Sequence, residues 1–331
     1  MSQNKKICVV GASGLVGSSI VRLALEKGYF VNGTLRDKSD ISKVKYLTEL
    51  KNSHNLDLFD ANMENEKDLI SPLQDTDAVF IACLTPTYKG KDGTPAKEMD
   101  DERGYKEIIN PTVDGCLNII KTAKYHGIKN VVICSSTSST NPVPPVKFKN
   151  EIDHWSDEKE QCRSKKYTSA TKTVMEKAAI KYCEENDIRL SIILPTGLYG
   201  DPVLPSHLNH NPFIWLKRVI EGGNPRHEKI PNDSASMIHL RDLAKIFLAV
   251  YENPNASGRY FGVYKSLHWY DIYNECKKLI PNMSMPITFS DKPVEPTGFD
   301  FTRRDSLKVH IRDFSTTLKE TINWLKSKPF E

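Results

Sequence analysis

Short apolar runs alternate with amphipathic stretches through the first two thirds of the chain. Lys6 to Val10 is the first run, and Leu15 to Lys27 then carries apolar residues at helical spacing, which predicts a strand leading into a helix. Further strand-like runs stand at Phe30 to Leu35, Asn55 to Leu58, Ala78 to Cys83, Asn130 to Cys134 and Leu190 to Leu194, with helical patterns between most of them. Such alternation predicts an α/β fold in which a doubly wound parallel sheet is covered by helices on both faces. The longest helical pattern before the middle runs from Asn110 to Tyr125, where Val113, Leu117, Ile120 and Ala123 fall on one face, and Gly127 ends it.

After Leu194 the texture changes. Pro195, Pro202, Pro205, Pro212, Pro225 and Pro231 interrupt any long helix, leaving room for a short one from Phe213 to Glu221. Regular patterning returns at Ile238 to Tyr251, followed by a strand-like Gly258 to Gly262 and helices near Trp269 to Leu279 and Ser315 to Ser327. The expected division is a sheet domain from 1–194 plus about 236–262, and a smaller lobe from about 195–235 and 263–331.

The first strand runs straight into Gly11-Ala12-Ser13-Gly14-Leu15-Val16-Gly17. Glycine in such a strand-to-helix turn permits a tight bend at Gly11, close approach of a pyrophosphate at Gly14, and close helix packing at Gly17. The helix N-terminus then offers unpaired amides to phosphates. Together these describe a dinucleotide site on a Rossmann-type sheet. The second strand ends in Thr34-Leu35-Arg36-Asp37, and an arginine there suits a ribose 2'-phosphate, where an acidic residue would suit a free 2'-hydroxyl. NADP(H) is therefore the expected cofactor, with Lys43 as a second cation, although Asp37 keeps NAD in view.

Composition narrows the alternatives. A chain of 331 residues with 39% hydrophobic content can bury a large core, while a net charge of +4 without long basic runs argues against nucleic acid. No apolar stretch approaches a membrane span, and Met1 to Lys6 has no signal-peptide core. The seven cysteines are irregularly spaced and odd in number, which reads as reduced thiols of a cytoplasmic protein. His207 and His210 lie in a proline-rich segment without an evident third ligand, so no metal is expected.

Several later stretches carry a resemblance. They are Asn110 to Asn118, Val131 to Ser136, Lys172 to Ala179, Leu194 to Gly200, His239 to Leu243, Glu252 to Pro254 and Gly258 to Tyr260, in addition to the glycine turn, Thr34 to Asp37 and Leu56 to Leu58. With them the chain resembles the extended short-chain dehydrogenases/reductases of the NAD-dependent epimerase/dehydratase superfamily, on the branch of the dihydroflavonol and cinnamoyl-CoA reductases. The resemblance implies hydride transfer between a nicotinamide and a carbonyl carbon, with a serine orienting the carbonyl, a tyrosine giving the proton and a lysine lowering that phenol's pKa. It assigns these roles to Ser136, Tyr167 and Lys172. It also places Asp57 and Leu58 at the adenine, Ala82 and Pro195 along the cofactor, and Asn141 at a substrate position, although before Pro142 that residue reads more simply as an ordinary turn residue. The expected substrate is a ketone or aldehyde of a small hydrophobic molecule, and the expected assembly a monomer or homodimer. A cofactor-binding protein without catalysis, a sugar-nucleotide epimerase or dehydratase, and a hydroxysteroid dehydrogenase remain as alternatives on the same scaffold.

One departure stands out. The family places its tyrosine four residues before the lysine, whereas Tyr167 precedes Lys172 by five and Thr168 holds the usual position. On a regular helix five residues separate two side chains by about 140°. A π-turn between them, an irregular turn before the helix, or loss of the acid are the three ways out. Substrate-lining segments are expected from Thr85 to Tyr105, Asn141 to Val146 and Thr196 to Arg226, where His207, His210, Trp215 and His227 read as structural or exposed.

Overall fold

The computed structural model describes residues 5–331. Seven parallel strands form its central sheet: β1 Lys6–Val10, β2 Phe30–Leu35, β3 Leu56–Asp60, β4 Ala78–Ile81, β5 Asn130–Cys134, β6 Arg189–Pro195 and β7 Gly258–Gly262. Their order across the sheet is β7-β6-β5-β4-β1-β2-β3. The winding reverses between β1 and β4, and a crevice opens outside the carboxyl ends of strands at such a reversal.

Strand side chains alternate between two apolar cores. Ile7 and Val9 of β1 enter the core shared with Ile20, Leu25, Leu243 and Phe247, while Cys8 and Val10 enter the opposite one with Ile119, Ile120, Met175 and Ala179. Both faces are thus covered, which is why β4 reads as four successive apolar residues and is buried throughout. Helix Leu15–Glu26 packs with Leu240–Glu252 on one face, and Asn110–Tyr125 with Tyr167–Glu185 on the other.

The regular pattern from Ile238 to Tyr251 spans two elements. Ser234–His239 is a strand, and the helix Leu240–Glu252 begins where His239 turns its imidazole back to accept the Arg241 amide at 3.1 Å. That strand lies between Gly197–Tyr199 and Lys265–His268 in a second, three-stranded sheet. Helices Phe213–Ile220, Trp269–Leu279 and Phe314–Lys326 close over it around Trp215, Ile272, Tyr273 and Leu318.

Two buried contacts tie distant segments together. Arg259 of β7 bonds the Glu176 carboxylate at 2.9 Å, Ser139 Oγ at 2.9 Å and the carbonyls of Glu151 and His154 at 2.8 and 3.1 Å. Its guanidinium lies 3.6 Å from the centre of the Trp155 ring. The second contact is His207, which accepts the Leu204 amide at Nδ1 (3.3 Å) and meets the Ser13 carbonyl at Nε2 (3.0 Å). That pair of partners fixes a neutral ring with its proton on Nε2.

Removing Arg259 strands a buried carboxylate, so Arg259→Ala is expected to cost about 3 kcal/mol or more, read as a lower urea midpoint. Burial holds His207 down at about 4, from an ordinary 6.5. The unfolded chain therefore binds a proton that the folded chain refuses between those values. Its contribution is full above about pH 6.5 and is lost as pH falls toward 4. Urea titrations across this window should show stability declining with acid, and His207→Gln should remove part of the slope.

Candidate functional site

The crevice at the ends of β1, β2 and β4 is a cleft of about 420 Å³, lined among others by Gly11, Ser13, Gly14, Arg36, Lys43 and Ala82. Its glycine turn has no room for a Cβ at two positions. Gly11 has φ +91°, and a Cβ there would stand 2.8 Å from Cys83 Cβ; one on Gly17 would stand 2.1 Å from the Gly11 carbonyl oxygen. Gly14 caps helix Leu15–Glu26 without any side-chain bond, so the first-turn amides face the cleft's mouth uncapped. Leu15, Val16 and Gly17 form that first turn, with Gly17 providing the close packing of helix on strand.

Charge at the far end is positive. Arg36 is exposed, lines the cleft and has no side-chain partner among the described residues. Asp37 is turned into its own loop, accepting from the Ser39 amide at 2.9 Å and the Ser39 hydroxyl at 2.6 Å. Lys43 also lines the cleft and pairs with Asp40. The bare glycine turn and the unengaged guanidinium fit a dinucleotide carrying a 2'-phosphate, which would place its pyrophosphate on the helix amides.

Asp57 and Leu58 are not at this edge. The third strand extends to Asp60, so Asp57 lies opposite Asn32 and Leu58 opposite Gly33, inside the ladder. The wall of the cleft is instead made by Ala61, Asn62, Met63 and Glu64, and Asp60 accepts the Lys38 amide. The alternation of Leu56, Asp57, Leu58 and Phe59, followed by the turn-forming Asp60 and Asn62, carries that signal in the sequence. Pro195 ends β6 opposite Gly262 and lies outside the lining of the cleft.

Ser136 follows β5 in extended backbone, half-buried, its Oγ accepting the Ser138 amide at 3.2 Å. Its neighbour Ser135 points the other way and donates to the Glu176 carboxylate. Lys172 donates to the Leu84 carbonyl, just past β4. Burial lowers its pKa, and its electrostatic neighbours are Cys134, Glu176, Cys116 and Cys83. Cys83 in turn lines the cleft, so Lys172 lies behind the cleft wall at the ends of β4 and β5.

Tyr167 does not join them. Tyr167–Glu185 is a regular α-helix from its first residue, so neither a π-turn nor an irregular approach brings the phenol round to Lys172. Tyr167 is fully buried; its hydroxyl donates to Asp101 at 2.7 Å and receives the Lys165 ammonium at 3.1 Å. Its ring lies so close to Gly104 that a Cβ there would come within 2.4 Å of Cε1. Burial, followed by the Asp101 carboxylate, raises the phenol's pKa, which weakens it as an acid. The one π-turn in this region, Tyr105–Ile109, belongs to the neighbouring helix. Thr168 therefore occupies the face of Lys172 one turn earlier, half-buried.

Asn141 is exposed, accepts from Lys149 and donates its amide to Ser156 Oγ at 2.8 Å, as a turn residue does. His207 and His210 have ring centres 6.4 Å apart, and no metal-holding group of three His, Cys, Asp or Glu occurs among the described residues. No described helix is long and apolar enough to cross a membrane.

Known proteins are similar to this chain in sequence and in fold. The model of the NAD dependent epimerase/dehydratase family matches residues 7–263. Cinnamoyl-CoA reductase CAD2 of Medicago truncatula is 31% identical over 98% of this chain and 96% of its own length. The bifunctional dihydroflavonol 4-reductase/flavanone 4-reductase of Malus domestica is 31% identical over 90% of this chain and 83% of its own. In fold, vestitone reductase from alfalfa superposes with a TM-score of 0.77 at 22% identity, covering 98% of this chain and 99% of its own. Yeast methylglyoxal/isovaleraldehyde reductase Gre2, solved with NADPH, gives 0.76 at 20% identity, covering 98% of this chain and 97% of its own. With the glycine turn, the strand order and the matched span in agreement, the chain belongs to the NAD dependent epimerase/dehydratase family.

Proposed function

We propose that the protein is an NADP(H)-dependent oxidoreductase that interconverts a ketone or aldehyde of a small hydrophobic molecule and the corresponding alcohol. The observation that carries this reading is the glycine turn, with no room for a Cβ at Gly11 or Gly17, facing an unengaged Arg36 across one cleft, with Ser136 and Lys172 at the same edge of the sheet. The reductase names of the similar proteins support it. A nicotinamide bound with its dinucleotide in this cleft supplies hydride chemistry at carbon. The protein's own groups bind and orient: helix amides and Arg36 hold phosphates, Ser136 Oγ offers a hydrogen bond to the carbonyl oxygen, and Lys172 places a cation beside it.

The lobe built around the second sheet, with strands Gly197–Tyr199, Ser234–His239 and Lys265–His268, would close on the substrate. Its turn Pro205–Asn209 already reaches the glycine turn through His207 and Ser13. Seven unpaired cysteines, five of them buried, support a reducing cytoplasmic setting. A second reading, dinucleotide binding without catalysis, is favoured by one observation, the diversion of Tyr167 to Asp101.

Fluorescence titration should show NADPH bound more tightly than NADH. Arg36→Ala should weaken NADPH by about tenfold to a hundredfold, the effect of losing charge-assisted bonds, and leave NADH within about twofold. Equal loss for both dinucleotides would refute the 2'-phosphate assignment. NADPH oxidation with a panel of aromatic and aliphatic aldehydes and ketones separates the two readings, since a binding protein oxidises none. With an active carbonyl, Ser136→Ala should lower kcat by about tenfold or more while NADPH affinity stays unchanged.

A further inference from the structure

We propose that Lys172 is itself the proton donor of the reduction, with a threonine at position 168 in place of a phenol one turn before it. The proposal rests on the reductase reading above and names the acid that this reading lacks.

The regular helix from Tyr167 onward decides which side chains share the face of Lys172. One turn earlier that residue is Thr168, whose hydroxyl has no hydrogen bond among the described residues. A threonine lacks the phenol ring that would otherwise stand between the lysine and the substrate oxygen. Neither Thr168 nor Ser136 is an acid at physiological pH, because an aliphatic hydroxyl ionises far above it. Tyr167, the nearest phenol in sequence, is sealed against Gly104 and committed to Asp101 and Lys165.

Among the described residues, the groups that face Lys172 from the elements packed against it are poorer donors. Cys83 follows β4 and Cys134 ends β5, and burial pushes their thiols up to about 12 and about 11. Cys116 comes from helix Asn110–Tyr125 and is raised further still by burial. Glu176, one turn along Lys172's own helix, is the carboxylate beside it among the described residues, and that group is already engaged by Arg259 and Ser135. Lys172 therefore keeps a single anchoring bond, to the Leu84 carbonyl. A buried ammonium without a dedicated counter-ion gives up its proton more readily than one in water.

The step balances. As the carbonyl carbon gains a hydride, the C=O π pair becomes the bond between oxygen and the proton leaving Lys172 Nζ, giving the alcohol and a neutral amine. The amine regains its proton from water. In the reverse direction the neutral amine takes the alcohol's proton.

The test compares the wild type, Tyr167→Phe, Lys172→Ala and Lys172→Arg, each checked for folding by circular dichroism and for NADPH binding. With a carbonyl that the wild type reduces, Tyr167→Phe should retain kcat within about twofold. Lys172→Ala should lose about a hundredfold or more, the usual range for a lost general acid, and ethylamine should restore part of it. Wild-type kcat for reduction should fall as pH rises through the Lys172 ionisation, because only the ammonium can donate. A readout independent of turnover is the carbon resonance of Lys172 in protein labelled at lysine Cε, assigned by its absence in Lys172→Arg. It should titrate at lower pH than the surface lysines. Loss of activity in Tyr167→Phe, full activity in Lys172→Ala, or titration of Lys172 together with the surface lysines would each overturn the proposal and leave the reductase reading standing. A wild type that binds NADPH and oxidises it with no carbonyl in the panel would instead overturn that reading and the proposal with it.

Discussion

The buried pair of Arg259 and Glu176 joins the last strand of the sheet to the helix that carries Lys172, with side-chain exposures of 5% and 0%. Bare charges at such depth are costly, so each must meet a full set of partners. Glu176 accepts from Ser135 as well as from Arg259, and Arg259 spreads its remaining donors over Ser139, Glu151 and His154. The consequence is geometric. Ser135 is pulled inward, which leaves the adjacent Ser136 at the open edge, and the segment from Ser139 to Trp155 is clamped over the end of the sheet. Glu176 lies one helical turn beyond Lys172, so the same pair fixes the rotation of that helix and the face on which the lysine projects.

Fixing the helix has a second effect. A regular helix cannot present residues five apart on one face, and this one is regular from its first residue. Tyr167 and Lys172 therefore serve different neighbourhoods: the phenol fills a niche over Gly104 between two packed helices, and the lysine faces the sheet edge. The π-turn that relieves packing here falls at Tyr105–Ile109, opposite the tyrosine. A polar hydroxyl buried at such a junction needs partners, and Asp101, Lys165 and the Met99 carbonyl provide them.

Much of the dinucleotide cleft was legible because its requirements are local. Glycine at positions 11, 14 and 17 and arginine at 36 are demanded by backbone approach and charge within a single strand-turn-helix unit. The misplacement of Asp57 and Leu58 has an equally local cause. The hydrogen-bonded ladder continues past Leu58 through Phe59 and Asp60, so the strand ends two residues later than Leu56-Asp57-Leu58 suggests. The regular pattern that begins at Ile238 likewise crosses a boundary, since Ile238 and His239 end a strand and Leu240 begins the helix.

The sequence by itself determined the alternating sheet and helices, the glycine turn, the cation at the end of the second strand, and the one-residue shift between tyrosine and lysine. These follow from periodicity, backbone sterics and charge, which act within a few neighbouring residues. Tertiary structure decided how that shift is resolved. Whether a helix begins regularly at Tyr167, whether a phenol turns toward Asp101 or Lys172, and whether a histidine more than 190 residues away meets Ser13 all depend on contacts between distant segments. Those contacts are set by the packing of whole elements against one another, and no local pattern in the chain encodes them.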